Sequence, residues 1–158
     1  MRTTSIKVAL IIILAGATAA LSLFIRIPTP ATGGYLNVGD MAVVFCGLFL
    51  GGRSGALAAG IGSAVADLMG GFFIFAPITL IAKGLEAFIA GTLGKKHPAW
   101  LILSGIVMVV IYFMAEVFLP GMGVSAALSS LPFNLIQAGI GAVGGFLIYK
   151  SVTAALGG

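Results

Sequence analysis

Apolar residues run along this chain in long unbroken stretches instead of alternating with polar ones, and the polar interruptions divide it into six segments. The segments cover residues 6–26, 39–51, 53–69, 77–94, 99–119 and 126–150. A helix that crosses a bilayer needs about 20 apolar residues, so most of these are of spanning length, while 39–51 is short. The breaks carry helix-stopping chemistry. Ile27-Pro28-Thr29-Pro30 ends the first segment, Gly70-Gly71 the third and Pro120-Gly121 the fifth, and Lys95-Lys96-His97-Pro98 forms a polar turn after the fourth. Pro132 falls inside the sixth, where a kink is possible. The stretch 28–38 reads as a loop. The pattern predicts an all-α integral membrane protein, a compact bundle of six transmembrane helices forming one domain over residues 1–158.

Composition makes the membrane assignment firm. The chain is 60% apolar and 8% charged, with a mean hydropathy of +1.22, whereas soluble domains carry roughly 25% charged residues. A water-exposed globule is excluded. The 24 glycines lie within continuous apolar runs, which lack the dyad alternation of a membrane β-barrel. The net charge of +4 could suggest nucleic acid, but the positions of the basic residues speak for topology instead. With the N-terminus in the cytoplasm, Arg2, Lys7, Arg53, Lys95, Lys96 and Lys150 fall on the inner side and Arg26 on the outer, as the positive-inside rule requires. Both termini are then cytoplasmic and no nucleic-acid partner is expected. Arg2 and Lys7 ahead of Ala15-Gly16-Ala17 resemble a cleavable signal peptide, but the apolar stretch continues to Ile25 and is read as a span.

Ionisable groups inside the bilayer cost at least ~2.5 kcal/mol each and need a partner, water or a function. On this topology Asp40 sits at the outer start of the second segment, Asp67 at the outer end of the third and Glu116 one turn from the outer end of the fifth. Lys83 and Glu86 lie roughly 9 and 14 Å along the fourth helix from Pro77, with Asn134 and Gln137 at similar depth in the sixth. Thr79, Lys83 and Glu86 share one helical stripe, as do Asn134 and Gln137. The polar residues stop halfway through the membrane, which outlines a pocket open to the outside and not a conduction path. Tyr35, Phe72, Phe73, Phe75, Tyr112, Phe113, Phe118 and Phe133 fall in the same half. They serve as an interfacial belt or as walls for a flat ring, and the connections 28–38 and 70–76 can act as lids.

Enzymatic chemistry has little to work with. His97 is the single histidine and lies in a basic turn, Cys46 is the single cysteine, and no Gly-Lys-Ser/Thr of a phosphate-binding loop occurs. No catalytic residue, metal site or cofactor is expected in this chain, and it is not read as an enzyme. Small residues at helical spacing, Gly51/Gly55/Ala59/Ser63, Ala56/Gly60/Ala64 and Gly141/Gly145, fit close helix packing. Ala15 and Ala19, flanked by Gly16 and Ala20, form a similar face that packs internally or docks another protein.

The runs Gly34-Tyr35-Leu36-Asn37-Val38-Gly39-Asp40, Gly60 to Gly71 with Asp67 near its end, and Ala76-Pro77-Ile78-Thr79-Leu80-Ile81-Ala82-Lys83-Gly84-Leu85-Glu86 through Gly91 resemble the substrate-binding S components of energy-coupling factor (ECF) vitamin transporters. The likeness is greatest to the branch with riboflavin-type and hydroxymethylpyrimidine/pyridoxine-type members. The distinctive motifs lie in 34–91; hydropathy and length carry the resemblance beyond. It implies a multi-pass protein of a prokaryotic plasma membrane that binds a vitamin in its outer half. It also implies a transmembrane coupling subunit, docked through Ala15 and Ala19, and two cytoplasmic ATPases that use ATP. The expected substrate-binding residues are Tyr35, Asn37, Asp40, Asp67, Lys83, Glu86, Glu116, Asn134 and Gln137, with Tyr35 and the aromatics of 72–75 stacking on a ring. Four acids against Arg26 and Lys83 disfavour a multiply anionic ligand such as folate. They favour hydroxymethylpyrimidine or pyridoxine, with riboflavin as the alternative. A small proton-coupled carrier or channel using Lys83 and Glu86 as a relay is the competing reading from another class.

Overall fold

The computed structural model describes residues 2–24, 26–28 and 35–157. Six helices carry the chain: α1 (Arg2–Phe24), α2 (Gly39–Leu50), α3 (Gly52–Met69), α4 (Ala76–Ile89), α5 (Trp100–Phe118) and α6 (Val124–Ala155). A π-helical turn, Ala90–Gly94, prolongs α4. Relative to the hydropathy pattern, α1 starts earlier and α6 runs on to Ala155, continuous through Pro132. Inside the stretch expected to be loop, β2 (Tyr35–Asn37) pairs antiparallel with β1 (Arg26–Pro28), Arg26 opposite Asn37 and Pro28 opposite Tyr35. Hydropathy could not show this hairpin: strands of three residues are too short for a period, and their backbone pairing satisfies groups that a membrane boundary leaves short of water.

Four helical stretches are long and apolar enough to cross a membrane: Thr4–Phe24, Ala76–Gly94, Trp100–Phe118 and Val124–Ala155. The 12-residue α2 is a different kind of element. It packs against α1, α3, α4 and α6, and Val43, Val44, Cys46 and Leu48 are buried on its several faces. A helix wrapped by protein need not match the hydrocarbon thickness, which is why its short apolar run is sufficient. Around it the lipid-facing positions are occupied by large apolar side chains such as Ile12, Ile13, Leu57, Ile102, Val110 and Val143.

Close approach of backbones sets the bundle's geometry. Gly51 links α2 to α3 at φ +85°, a left-handed conformation that favours glycine. A Cβ at Gly47 would strike the Ala87 carbonyl, one at Gly55 the backbone of Cys46 and Gly47, and one at Gly91 the backbones of Gly47, Gly51 and Gly52. Gly141 and Gly145 of α6 likewise admit Asp40 and Val44 of α2. On α1, Gly62 of α3 lies against the Ala15 carbonyl, Ala15 is half-buried, and Ala19 faces the bundle at 8% exposure. Gly16, beside them, faces open space. Thr18, fully buried, bridges inward to the Cys46 sulfur at 3.6 Å.

Lys7, Arg53, Lys95, Lys96 and Lys150 are all exposed and fall at the end of the bundle that holds the α2–α3 and α4–α5 turns. The hairpin and the connections 70–75 and 119–123 form the opposite end.

Candidate functional site

Between α3, α4, α5 and α6, toward the hairpin end, lies a cavity of about 590 Å³ counted with its mouth. That is the size range of small-molecule sites, some 300–1,000 Å³. α3 contributes Ser63 and Asp67, one helical turn apart; α4 contributes Thr79 and Lys83; α5 contributes Tyr112 and Glu116. Ser130, Asn134 and Gln137, spaced i, i+4 and i+7, form the α6 wall, and Ser22, Asn37, Phe72 and Phe75 complete the lining.

The only lysine in this lining is already engaged. Lys83 Nζ donates to Asp40 Oδ1 at 2.5 Å and to Glu86 Oε2 at 3.4 Å, and it lies 5.5 Å from the centroid of the Tyr112 ring. All three ionic side chains are at most 3% exposed. Helix geometry arranges this: Lys83 and Glu86 sit at i, i+3 on α4, while Asp40 occupies the first turn of α2, where the helix N-terminus favours negative charge. Asp40 Oδ2 accepts a hydrogen bond from Gln137 Nε2 at 3.1 Å, and Gln137 Oε1 accepts from the Asn37 backbone N–H at 2.9 Å. The Asn37 side chain in turn accepts from the Gly39 N–H at 2.7 Å, an Asx turn that fixes the entry to α2. A continuous polar chain therefore runs from β2 through α6 and α2 to α4.

On the far side, Ser130 Oγ donates to Glu116, and the Tyr112 hydroxyl shares a 2.8 Å hydrogen bond with Thr79. The buried Ser63 Oγ has no hydrogen-bond partner, nor does Glu86 Oε1.

Of the residues expected to bind substrate, Asn37, Asp67, Lys83, Glu116, Asn134 and Gln137 line one cavity. Asp40 and Glu86 stand behind Lys83, in contact with it and not with the open space. The Tyr35 and Arg26 side chains lie outside the described residues. The expectation of stacking by all the 72–75 aromatics is corrected: Phe72 and Phe75 line the cavity, but Phe73 is 68% exposed and turned away. Three successive aromatics in a turn cannot all face one way. Ser22, Ser63 and Ser130 were not expected, because a lone serine in an apolar helix is unremarkable. The i, i+4 spacing of Ser63 to Asp67 and of Ser130 to Asn134 is the signal that could have found two of them.

Gln137 saturates both ends of its amide in joining the hairpin stem to Asp40. Gln137→Leu keeps the volume and strands the Asn37 N–H and one Asp40 oxygen, so thermal unfolding in detergent is expected to show a loss of about 1–3 kcal/mol. An unchanged transition would mean that the bridge contributes nothing.

The model of the family described as ECF-type riboflavin transporter, S component, matches residues 2–154. A protein of Pyrococcus woesei, described as "Uncharacterized protein in gap 3'region", is 35% identical over 140 residues, covering 84% of this chain and 93% of its own length. Among solved structures, one reported under "Structure and mechanism of the S component of a bacterial ECF transporter" superposes with a TM-score of 0.80 at 20% identity, over 97% of this chain and 98% of that one.

Proposed function

This chain belongs to the family of ECF-type riboflavin transporter S components, a multi-pass membrane transport component and not an enzyme, and from that premise we propose that its cavity captures a neutral or weakly basic heterocycle. The charge balance carries the reading. Lys83 is matched twice over by Asp40 and Glu86, while two further carboxylates, Asp67 and Glu116, line the same space. Such a wall accepts hydrogen bonds and repels anions. Hydroxymethylpyrimidine and pyridoxine, single rings bearing hydroxyl or amino donors, fit that chemistry. Riboflavin, uncharged and donor-rich, is the second reading, supported by the family's description.

The remaining roles follow the family premise. The basic end of the bundle faces the cytoplasm, so the cavity opens outward. Asn37, Asn134 and Gln137 supply hydrogen bonds to the ligand, Phe72 and Phe75 flank its ring, and Asp40 and Glu86 hold Lys83 in place. A transmembrane coupling subunit docks on α1 at Gly16 and the exposed edge of Ala15, with Ala19 supporting from within, and two ATPases in the complex hydrolyse the ATP.

Titration of the purified chain with hydroxymethylpyrimidine, pyridoxine, riboflavin and folate is the test. One of the first three is expected to bind saturably, with Asn134→Ala weakening it about tenfold by removing a hydrogen-bonding wall. Tightest binding of folate, or an Asn134→Ala affinity equal to the parent's, would contradict the proposal.

A further inference from the structure

Ser63 and Asp67 stand out within the cavity for a reason that the general charge balance does not cover. They lie one turn apart on α3, both face the open space, and both are buried, at 4% exposure. Buried hydroxyls normally have a partner, and the other cavity hydroxyls whose bonds are described follow the rule: Ser130 is paired with Glu116, and Thr79 with Tyr112. Ser63 Oγ alone among the described cavity residues is buried without one. A serine held this way is poised for a group that arrives from outside. The carboxylate one turn further along α3 defines which group: a hydroxyl needs one acceptor for its proton and one donor for its lone pair, and the Asp67–Ser63 pair offers both.

Building on the function proposed above, we propose that Ser63 and Asp67 form a specificity subsite for a ligand hydroxyl, which donates to the Asp67 carboxylate and accepts from Ser63 Oγ. The subsite makes the protein selective for the free alcohol over its phosphate ester. Esterification replaces the donated proton with a dianion and sets it beside a carboxylate in a space of low dielectric, with Lys83 already committed to Asp40 and Glu86. Asp67 thereby sets the ester discrimination, and Ser63 reads the presence of the hydroxyl itself.

Two ligand series test this with the full-length protein in detergent. The first is hydroxymethylpyrimidine, its deoxy analogue 4-amino-2,5-dimethylpyrimidine, and its phosphate; the second is riboflavin, lumiflavin and flavin mononucleotide. In whichever series the parent binds, the alcohol is expected to exceed the ester by at least about a hundredfold, as sites built for a hydrogen bond discriminate. Ser63→Ala is expected to weaken the alcohol about tenfold and leave the deoxy analogue unchanged. Asp67→Asn keeps the shape, and is expected to narrow the alcohol-to-ester ratio about tenfold. Equal losses for alcohol and deoxy analogue in Ser63→Ala, or an unchanged ratio in Asp67→Asn, would overturn the subsite while leaving the capture function standing. If the parent binds no compound in either series, the capture function falls and the subsite with it. A variant that fails to fold is recognised by its thermal transition, and Ser63→Gly and Asp67→Ser then make the same comparison.

Discussion

Lys83→Met is expected to lower the stability of the protein by about 3–5 kcal/mol, the cost of removing one partner from a buried ionic group, and to abolish ligand capture. The size follows from what is left behind. Asp40 loses its 2.5 Å ion pair and keeps only the Gln137 amide, while Glu86 loses its one printed contact, with its other oxygen already unpartnered. Both carboxylates are at most 1% exposed, so water cannot replace the ammonium. The triple variant Lys83→Met, Asp40→Asn, Glu86→Gln separates charge from shape. It removes all three charges together and is expected to regain most of the lost stability, since a buried ion pair is often no better than a neutral replacement. Binding is not expected to return, because the cavity floor has lost its ammonium and the fixed carboxylate that holds Gln137. Thermal unfolding and titration of the two variants are the measurements; a single variant as stable as the parent would show the triad to be solvated and incidental.

Gly91→Ala is expected to prevent a folded, monodisperse protein from accumulating, although it adds one methyl. Its Cβ would fall on backbone atoms of Gly47, Gly51 and Gly52 at once. Side chains can rotate away from a clash, but backbone cannot, so the penalty lies at or beyond the upper part of the usual 1–3 kcal/mol overpacking range. The effect reaches the binding site because the displaced α2 carries Asp40. Gly16→Ala is the control: it is also a glycine in a helix of the same protein, but nothing lies within 4 Å of the new atom. Helix propensity then stabilises it by up to about 1 kcal/mol. Size-exclusion profiles and thermal unfolding of the two variants read this contrast, and equal behaviour would mean that the α2–α4 contact is looser than its geometry states.

Most of the helical plan is legible in the sequence because a bilayer demands long apolar runs and polar breaks, and Pro28, Pro98 and Pro120 punctuate them strongly. The position of α2 inside the bundle is less legible: a 12-residue apolar run reads as a deficient span until its neighbours are known. In the site, the depth of Lys83, Glu86, Asn134 and Gln137 followed from helix rise alone, because a charge in a membrane helix is rare enough to be informative. Which of them face the cavity did not. Asp40 and Asp67 look equivalent as acids near helix ends, but one is locked against Lys83 and the other lines the open space. That difference depends on contacts over 43 and 97 residues of sequence separation, which no local pattern encodes. Ser63 was invisible for the opposite reason, since its residue type carries no signal until burial and the lack of a partner give it one.

The central claim is that this chain captures a vitamin-like heterocycle and does not move it across the membrane by itself. Its most direct test is retention of the radiolabelled ligand by proteoliposomes that contain the purified chain alone, followed over time. The expected result is rapid saturation at the number of outward-facing protein molecules, insensitive to an imposed proton gradient, with no further accumulation. Accumulation beyond that number, above all if a proton gradient drives it, would contradict the claim and assign Lys83 and Glu86 to the relay of a carrier.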